Sequence, residues 1–159
     1  MKTFQDLQEG VYDPNILKAF FLAGGPGSGK SYVVKRGTGG LGLKIVNSDD
    51  VFEKYLKDAG LSLKMPKSEE EPRDKLRDRA KRVTAARQAN YLEGRLGLII
   101  DGTGKDYDKI AKQATQLKQL GYDVHMIFVN TSLETALERN AKRDRTVPRS
   151  IATKSWKTV

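Results

Sequence analysis

The sequence predicts an α/β fold in three layers, with a mostly parallel central sheet of about four strands and helices on both faces. Three observations carry that expectation. Four short apolar runs, Lys18 to Ala23, Leu43 to Asn47, Leu96 to Ile100 and Asp123 to Val129, alternate with segments of helical composition, the order that parallel strands and crossover helices require. The first run leads straight into GGPGSGKS, Gly24 through Ser31, a glycine-rich junction between strand and helix that is suited to holding phosphate. The 159 residues are 38% hydrophobic and 31% charged, enough for one domain's core and far from a disordered composition.

Taken in order, residues 1–17 contain Gly10, an Asp13-Pro14-Asn15 turn and few periodic apolar positions, so they read as a leader segment before a domain spanning 18–159. After the loop, Ser31 to Arg36 forms a short helix that the GTGGLG run, Gly37 to Gly42, cannot continue. The second strand ends at Ser48, the expected N-cap of a helix over Asp49 to Ala59 with acidic residues in its first turn and Gly60 as its stop. A loop or hinge over 61–71 precedes a long helix that reaches about Glu93, with Pro72 near its start. Its apolar stripe of Leu76, Ala80 and Val83 gives way to Arg87 and Asn90, so one end should face a polar cleft.

The third strand ends at Asp101 and turns through Gly102-Thr103-Gly104 into an amphipathic helix over Asp106 to Leu120, with Ile110, Ala114 and Leu117 on one face. After the fourth strand, Thr131 or Ser132 caps a helix expected to run through Arg143, which places Arg139 and Arg143 on a shared face. Val147-Pro148 breaks it, and Arg149 to Val159 reads as a last helix without a terminal cap, so the natural chain is expected to extend further.

Composition removes several classes of function. With no cysteine, disulfides, thiolate catalysis and cysteine-ligated metals are excluded, which fits a cytoplasmic location. No apolar run is long enough to span a membrane, and the N-terminus lacks a signal-peptide core. The formal net charge of +9 draws polyanions to the surface, and residues 73–95 set eight basic residues against three acidic ones. Nothing in the pattern specifies an oligomeric state.

Ligands of parallel α/β sheets sit at the carboxyl ends of the strands. There, Gly24, Gly25, Pro26, Gly27, Ser28, Gly29, Lys30 and Ser31 form the nucleotide-binding loop, with Lys30 reaching the β- and γ-phosphates of ATP and Ser31 holding Mg²⁺. Asp101 is a second candidate for the metal. Asp49 and Asp50, at the end of a strand expected to lie beside the first, can orient an acceptor hydroxyl and accept its proton. Arg139, Arg143 and Arg145 can fold over the triphosphate, and Thr103 lies on the acceptor side. His125, in mid-strand, reads as structural.

The loop GGPGSGKS, the segment IVNSDD, the turn LIIDGTG and the tail ERNAKRDRTVPRS resemble the kinase domain of bacteriophage polynucleotide 5′-kinases and the related zeta-toxin-type kinases, over most of residues 18–155. The resemblance implies that Asp50 is the acceptor-activating aspartate, that Arg143 is the lid arginine on the donor phosphates, and that Asp101 is the acidic residue ending the third strand. It also implies a polynucleotide 5′-hydroxyl as leading acceptor, with a UDP-sugar or other small molecule as the alternative. A nucleotide-hydrolysing switch module is a further reading of the loop alone. One position departs from the resemblance. Three residues after the activating aspartate, where the polynucleotide kinases carry an arginine for the nucleic-acid phosphate, this chain has Glu53, so Arg79 or Arg87 of the long helix would have to supply that contact.

Overall fold

The strands are built from β-branched and aromatic side chains whose burial decides which of them is central. In the computed structural model, which describes residues 16–37, 41–64 and 66–159, β1 (Lys18–Ala23) buries Ala19, Phe21, Leu22 and Ala23. It pairs on both sides, with β3 (Leu98–Asp101) through Ala19 and Leu98, and with β4 (Asp123–Phe128) through Ala19 and Val124. The strand β2 (Lys44–Val46) pairs with the far side of β3. All pairings are parallel and the order is β2-β3-β1-β4. The α/β architecture is therefore as expected, but β2 does not lie beside β1. Between them sits β3, the most apolar run of the chain, which is buried from both sides at Leu98 and Ile99.

Among the described residues six α-helices accompany the sheet: α1 (Lys30–Gly37), α2 (Ser48–Asp58), α3 (Glu70–Glu93) after a 3₁₀ turn over Lys67–Glu69, α4 (Tyr107–Gln119), α5 (Leu133–Ala141) and α6 (Arg149–Thr158). Ala19, Phe21, Val46 and Leu98 on one sheet face pack with Tyr91 and Leu92 of α3 and with Ile110, Ala114 and Leu117 of α4. A second cluster joins Val51, Phe52 and Leu56 of α2 to Leu76, Ala80 and Val83 of α3. Phe52 and Leu56 are fully buried, each worth roughly 1.5–3 kcal/mol, so α2 is clamped with its N-terminus aimed at the strand ends.

Several element ends differ from the sequence expectation, each for a local reason. The cap of α2 is Asn47, whose side chain accepts from Asp49 N at 2.8 Å, and Ser48 is already helical. The third strand starts at Leu98 and includes Asp101, because Leu96 is taken by an antiparallel bridge to Ile16. Helix α5 stops at Ala141, short of Arg143. The cause is buried Asn140, which donates to Val147 O at 2.7 Å and accepts from Val147 N at 3.1 Å, folding the following turn back onto the helix. Most of the expected leader, residues 1–15, and part of the GTGGLG turn, residues 38–40, lie outside the described residues.

Candidate functional site

The loop from Gly24 to Ser31 takes a path that its glycines allow, Gly27 and Gly29 among them. Gly27 has φ +83°, and a Cβ there would collide with the Ala136 carbonyl of α5. Gly29 has φ +104°, and the guanidinium of Arg139 lies 3.4 Å from where its Cβ would be. The backbone curl therefore does two things: it presents amide groups at the start of α1, and it lets α5 approach closely enough for Arg139 Nη1 to reach Ser28 O at 3.5 Å. Behind the loop, Gly24 N donates to Thr103 O at 3.0 Å, and Gly25 faces Trp156 of α6. Trp156 Nε1 is in turn anchored on Thr131 O at 2.8 Å.

A cleft of about 340 Å³ opens in front of this loop. Pro26 through Ser31 form its floor. Lys30 Nζ donates to Gly24 O at 2.6 Å and Gly25 O at 3.3 Å, and burial pushes its pKa down, with Arg143 acting the same way and Asp101 and Asp49 opposing. Arg139 and Arg143 also line the cleft. Because α5 ends at Ala141, Arg143 belongs to the turn after the helix and does not share a helical face with Arg139.

Opposite these cations, Asn47 organises the carboxylates. Its Nδ2 donates to Asp101 Oδ2 at 3.0 Å and to Asp50 Oδ1 at 3.3 Å, while its Oδ1 caps α2. One amide thus fixes the end of β3 relative to the start of α2. Asp50 lines the cleft, and its pKa is raised first by burial and then by Asp49 and Glu53, against the lowering effect of Arg145 and Arg143. Asp101 is raised mainly by burial, with Lys30 pulling it down and Asp50 and Asp49 pushing it up.

Two polar atoms at the cleft, Asp101 Oδ1 and Ser28 Oγ, are buried without a hydrogen-bond partner. A buried carboxylate oxygen left open beside a hydroxyl-bearing phosphate loop fits Mg²⁺, which takes one or two protein oxygens and completes its shell with phosphate and water. Among the described residues, no group of three or more His, Cys, Asp or Glu is arranged to hold a metal alone, which agrees with that mode of binding.

The structure thus brings the loop, Asp49, Asp50, Asp101, Thr103, Arg139 and Arg143 to one cleft. It does not bring Arg87. That residue is exposed on α3 and does not line the cleft. Arg79 is not at the cleft either and sits over the Tyr55 ring at 5.0 Å. The basic side chains that do reach the carboxylates are Arg77 and Arg145. Arg77 lies over the Phe52 ring at 4.9 Å, with Nη2 3.4 Å from Asp49 Oδ1. Arg145 is nearly enclosed, with Nη2 2.9 Å from Asp49 Oδ2 and Nε 3.9 Å from Glu53 Oε2. Arg145 is therefore engaged by the carboxylates Asp49 and Glu53. Asn47 and Arg77 had no sequence signal beyond their position in a cap and a helix. His125 stacks on Phe20 at 5.3 Å and pairs with Asp123 at 3.0 Å, away from the cleft, as expected of a structural residue.

Residues 20–158 match the family described as an AAA domain. The chain belongs to that family. The same AAA-domain fold is found in the Pnkp1/Rnl/Hen1 RNA repair complex (20% identity, 98% of this chain and 46% of that one, TM-score 0.67). It is found again in the PezAT chromosomal toxin–antitoxin system of Streptococcus pneumoniae (22% identity, 77% and 49%, TM-score 0.60). A gluconokinase from Sinorhizobium meliloti 1021 is similar at 16% identity over 91% of this chain and 75% of its own, with TM-score 0.52. The AAA-domain chain spans about half the length of the first two. No curated protein sequence matches it. The resemblance read from the motifs therefore holds at the level of a P-loop kinase-like fold. Among the described residues no helix is long and apolar enough to cross a membrane.

Proposed function

We propose that this chain is an ATP-dependent kinase that transfers the γ-phosphoryl group to a hydroxyl. The observation that carries the reading is the convergence on one cleft of the loop with Lys30, of Arg143 and of Asp50. In this reading Lys30, Arg139 and Arg143 bind the triphosphate oxygens and neutralise charge as it shifts toward the leaving oxygen. Ser31 and Asp101 hold Mg²⁺, which when bound neutralises the bridging phosphate oxygens. Asp50 orients the acceptor hydroxyl and accepts its proton late in a loose transition state, so a carboxylate of modest basicity is sufficient. Asn47 keeps Asp50 and Asp101 at a fixed separation. A pure switch would need the loop and the metal but not a carboxylate facing the γ-phosphoryl position.

Two acceptors compete. The net charge of +9 supports a polynucleotide 5′-hydroxyl, and the carboxylates around Asp50 support a sugar nucleotide or another small molecule. Incubation with γ-labelled ATP and, in parallel, a 5′-hydroxyl oligonucleotide, a UDP-sugar or water alone tests the reaction class. Label on an organic acceptor, lost in Asp50→Ala, is the expected result. Phosphate release with no acceptor labelled by the wild-type protein would remove the kinase reading.

A further inference from the structure

The acceptor half of the cleft has a charge arrangement that decides what can stand beside the reacting hydroxyl. Three carboxylates, Asp49, Asp50 and Glu53, line it within one turn of α2. Each cation at their side is already engaged: Arg77 with Asp49, Arg145 with Asp49 and Glu53, and Lys57 with Glu53 at 2.9 Å. Arg145 is the cation of this half that lines the cleft, and its side chain is only 12% exposed between its two acidic partners. A guanidinium held by two carboxylates keeps donors for further hydrogen bonds but offers little net positive field. The remaining cations of the cleft are Lys30 and Arg139, which reach loop carbonyls, and Arg143 in the turn after α5, which also lies near Asp50 and Glu53.

We infer that the acceptor is an uncharged polyhydroxylated group, a sugar ring or polyol, and that Glu53, acting with Arg145 and Asp49, is the specificity-determining residue that excludes acceptors bearing a phosphate next to the reacting hydroxyl. This rests on the kinase reading above. The chemistry suits polyols, because carboxylate oxygens accept from neighbouring hydroxyls while the spare N–H groups of Arg145 donate to them. A phosphate in the same place meets three carboxylates, and their partners Arg77, Arg145 and Lys57 are already engaged. The Asp50 carboxyl is raised first by burial and then by Asp49 and Glu53, with Arg145 and Arg143 opposing.

The test uses the whole chain, γ-labelled ATP and matched acceptor pairs in which the primary hydroxyl stays free: ribose with ribose 1-phosphate, glucose with glucose 1-phosphate, and adenosine with adenosine 3′-monophosphate, beside a 5′-hydroxyl oligonucleotide. The readout is the ratio of kcat/KM between the uncharged and phosphorylated members, which a merely structural role of Glu53 would not move. The expected wild-type ratio is about tenfold or more for whichever pair is used, falling with added salt. Glu53→Gln should narrow it and Glu53→Arg should invert it. Preferential labelling of a phosphorylated member or of the oligonucleotide by the wild type, or a ratio unchanged in both variants, overturns the inference and leaves the kinase reading standing. Absence of label on every organic acceptor, with ADP released only into water, overturns both.

Discussion

The two halves of the cleft are made in different ways. The loop half is one octapeptide, Gly24 to Ser31, whose ligands are largely its own backbone, and whose positive-φ glycines let α5 come close. The acceptor half is assembled from side chains of α2, α3, β3 and the turn after α5, tied together by Asn47 and by ion pairs reaching from Asp49 to Arg77 and Arg145. A backbone cradle works only if the whole segment keeps its path. A side-chain network can be retuned one residue at a time. The loop half should therefore respond to substitution all or nothing, while the acceptor half should respond by degrees and by changed preference.

The largest expected effect is on the loop side. Lys30 is the cation closest to the loop carbonyls, bonded to Gly24 O, and Lys30→Ala should lower turnover by about 100- to 1,000-fold, the range for losing one preorganised charge on a transition-state oxygen. The fold should survive, since Lys30 is outside both hydrophobic clusters. Steady-state kinetics beside a circular-dichroism melt separates the two. Unchanged turnover would mean that this loop does not hold the reacting phosphate, and the comparison of halves would lose its first term.

Next in size is the loss of the acceptor carboxylate. Asp50→Asn should reduce transfer by about 100-fold, the lower end for removing a positioned proton acceptor, with the loss in kcat and not in KM for ATP. The pH dependence sharpens this. Burial, Asp49 and Glu53 all push the Asp50 carboxyl above the usual carboxylate range, and the ionised form is the active one. Activity should then fall on acidification at a higher pH than an ordinary aspartate would give, and Glu53→Gln should move that acidic limb to lower pH by removing one of the charges that raise it. A limb that stays in place in Glu53→Gln would separate Glu53 electrostatically from Asp50.

How much of this was legible follows from how far apart in sequence the cooperating residues lie. The loop, the acidic first turn of α2 and Asp101 at a strand end are each marked within a few neighbours, and all three were readable. Strand adjacency is not a local property, so β3 slipping between β2 and β1 was not readable. Arg145 looked like a third candidate for the triphosphate because it follows Arg139 and Arg143 in the sequence. Its partner lies 96 residues earlier, at Asp49. The early end of α5 has the same origin, since Asn140 is an ordinary helical residue until its side chain captures Val147. Arg87 lies between buried Thr84 and core-packed Tyr91 at helical spacing, yet its side chain is exposed and away from the cleft, which its position in the helix pattern did not mark.

The smallest expected effect tests the residue that belongs to both halves. Asp101 lies at the end of β3, opposite Leu22 of the strand that feeds the loop, and it also accepts from Asn47 on the acceptor side. Its Oδ1 is buried and unpartnered, and burial, then Asp50 and Asp49, push its pKa above that of a free aspartate despite Lys30 and Arg143. A carboxyl whose folded-state pKa is raised costs stability wherever it is ionised, and the cost disappears as pH falls through the folded value. Asp101→Asn keeps an oxygen for Asn47 and removes the charge, so the variant should melt higher than wild type at pH 8, by roughly 2–4 °C per kcal/mol relieved. The two melting curves should converge in the acid range. The same variant should need more Mg²⁺ for half-maximal turnover if Asp101 contributes to holding the metal. A variant that melts lower than wild type at pH 8 would mean that the charge of Asp101 is compensated by Lys30 within the folded protein, and the loop and acceptor halves would then be joined by an ion pair and not by the Asn47 amide alone.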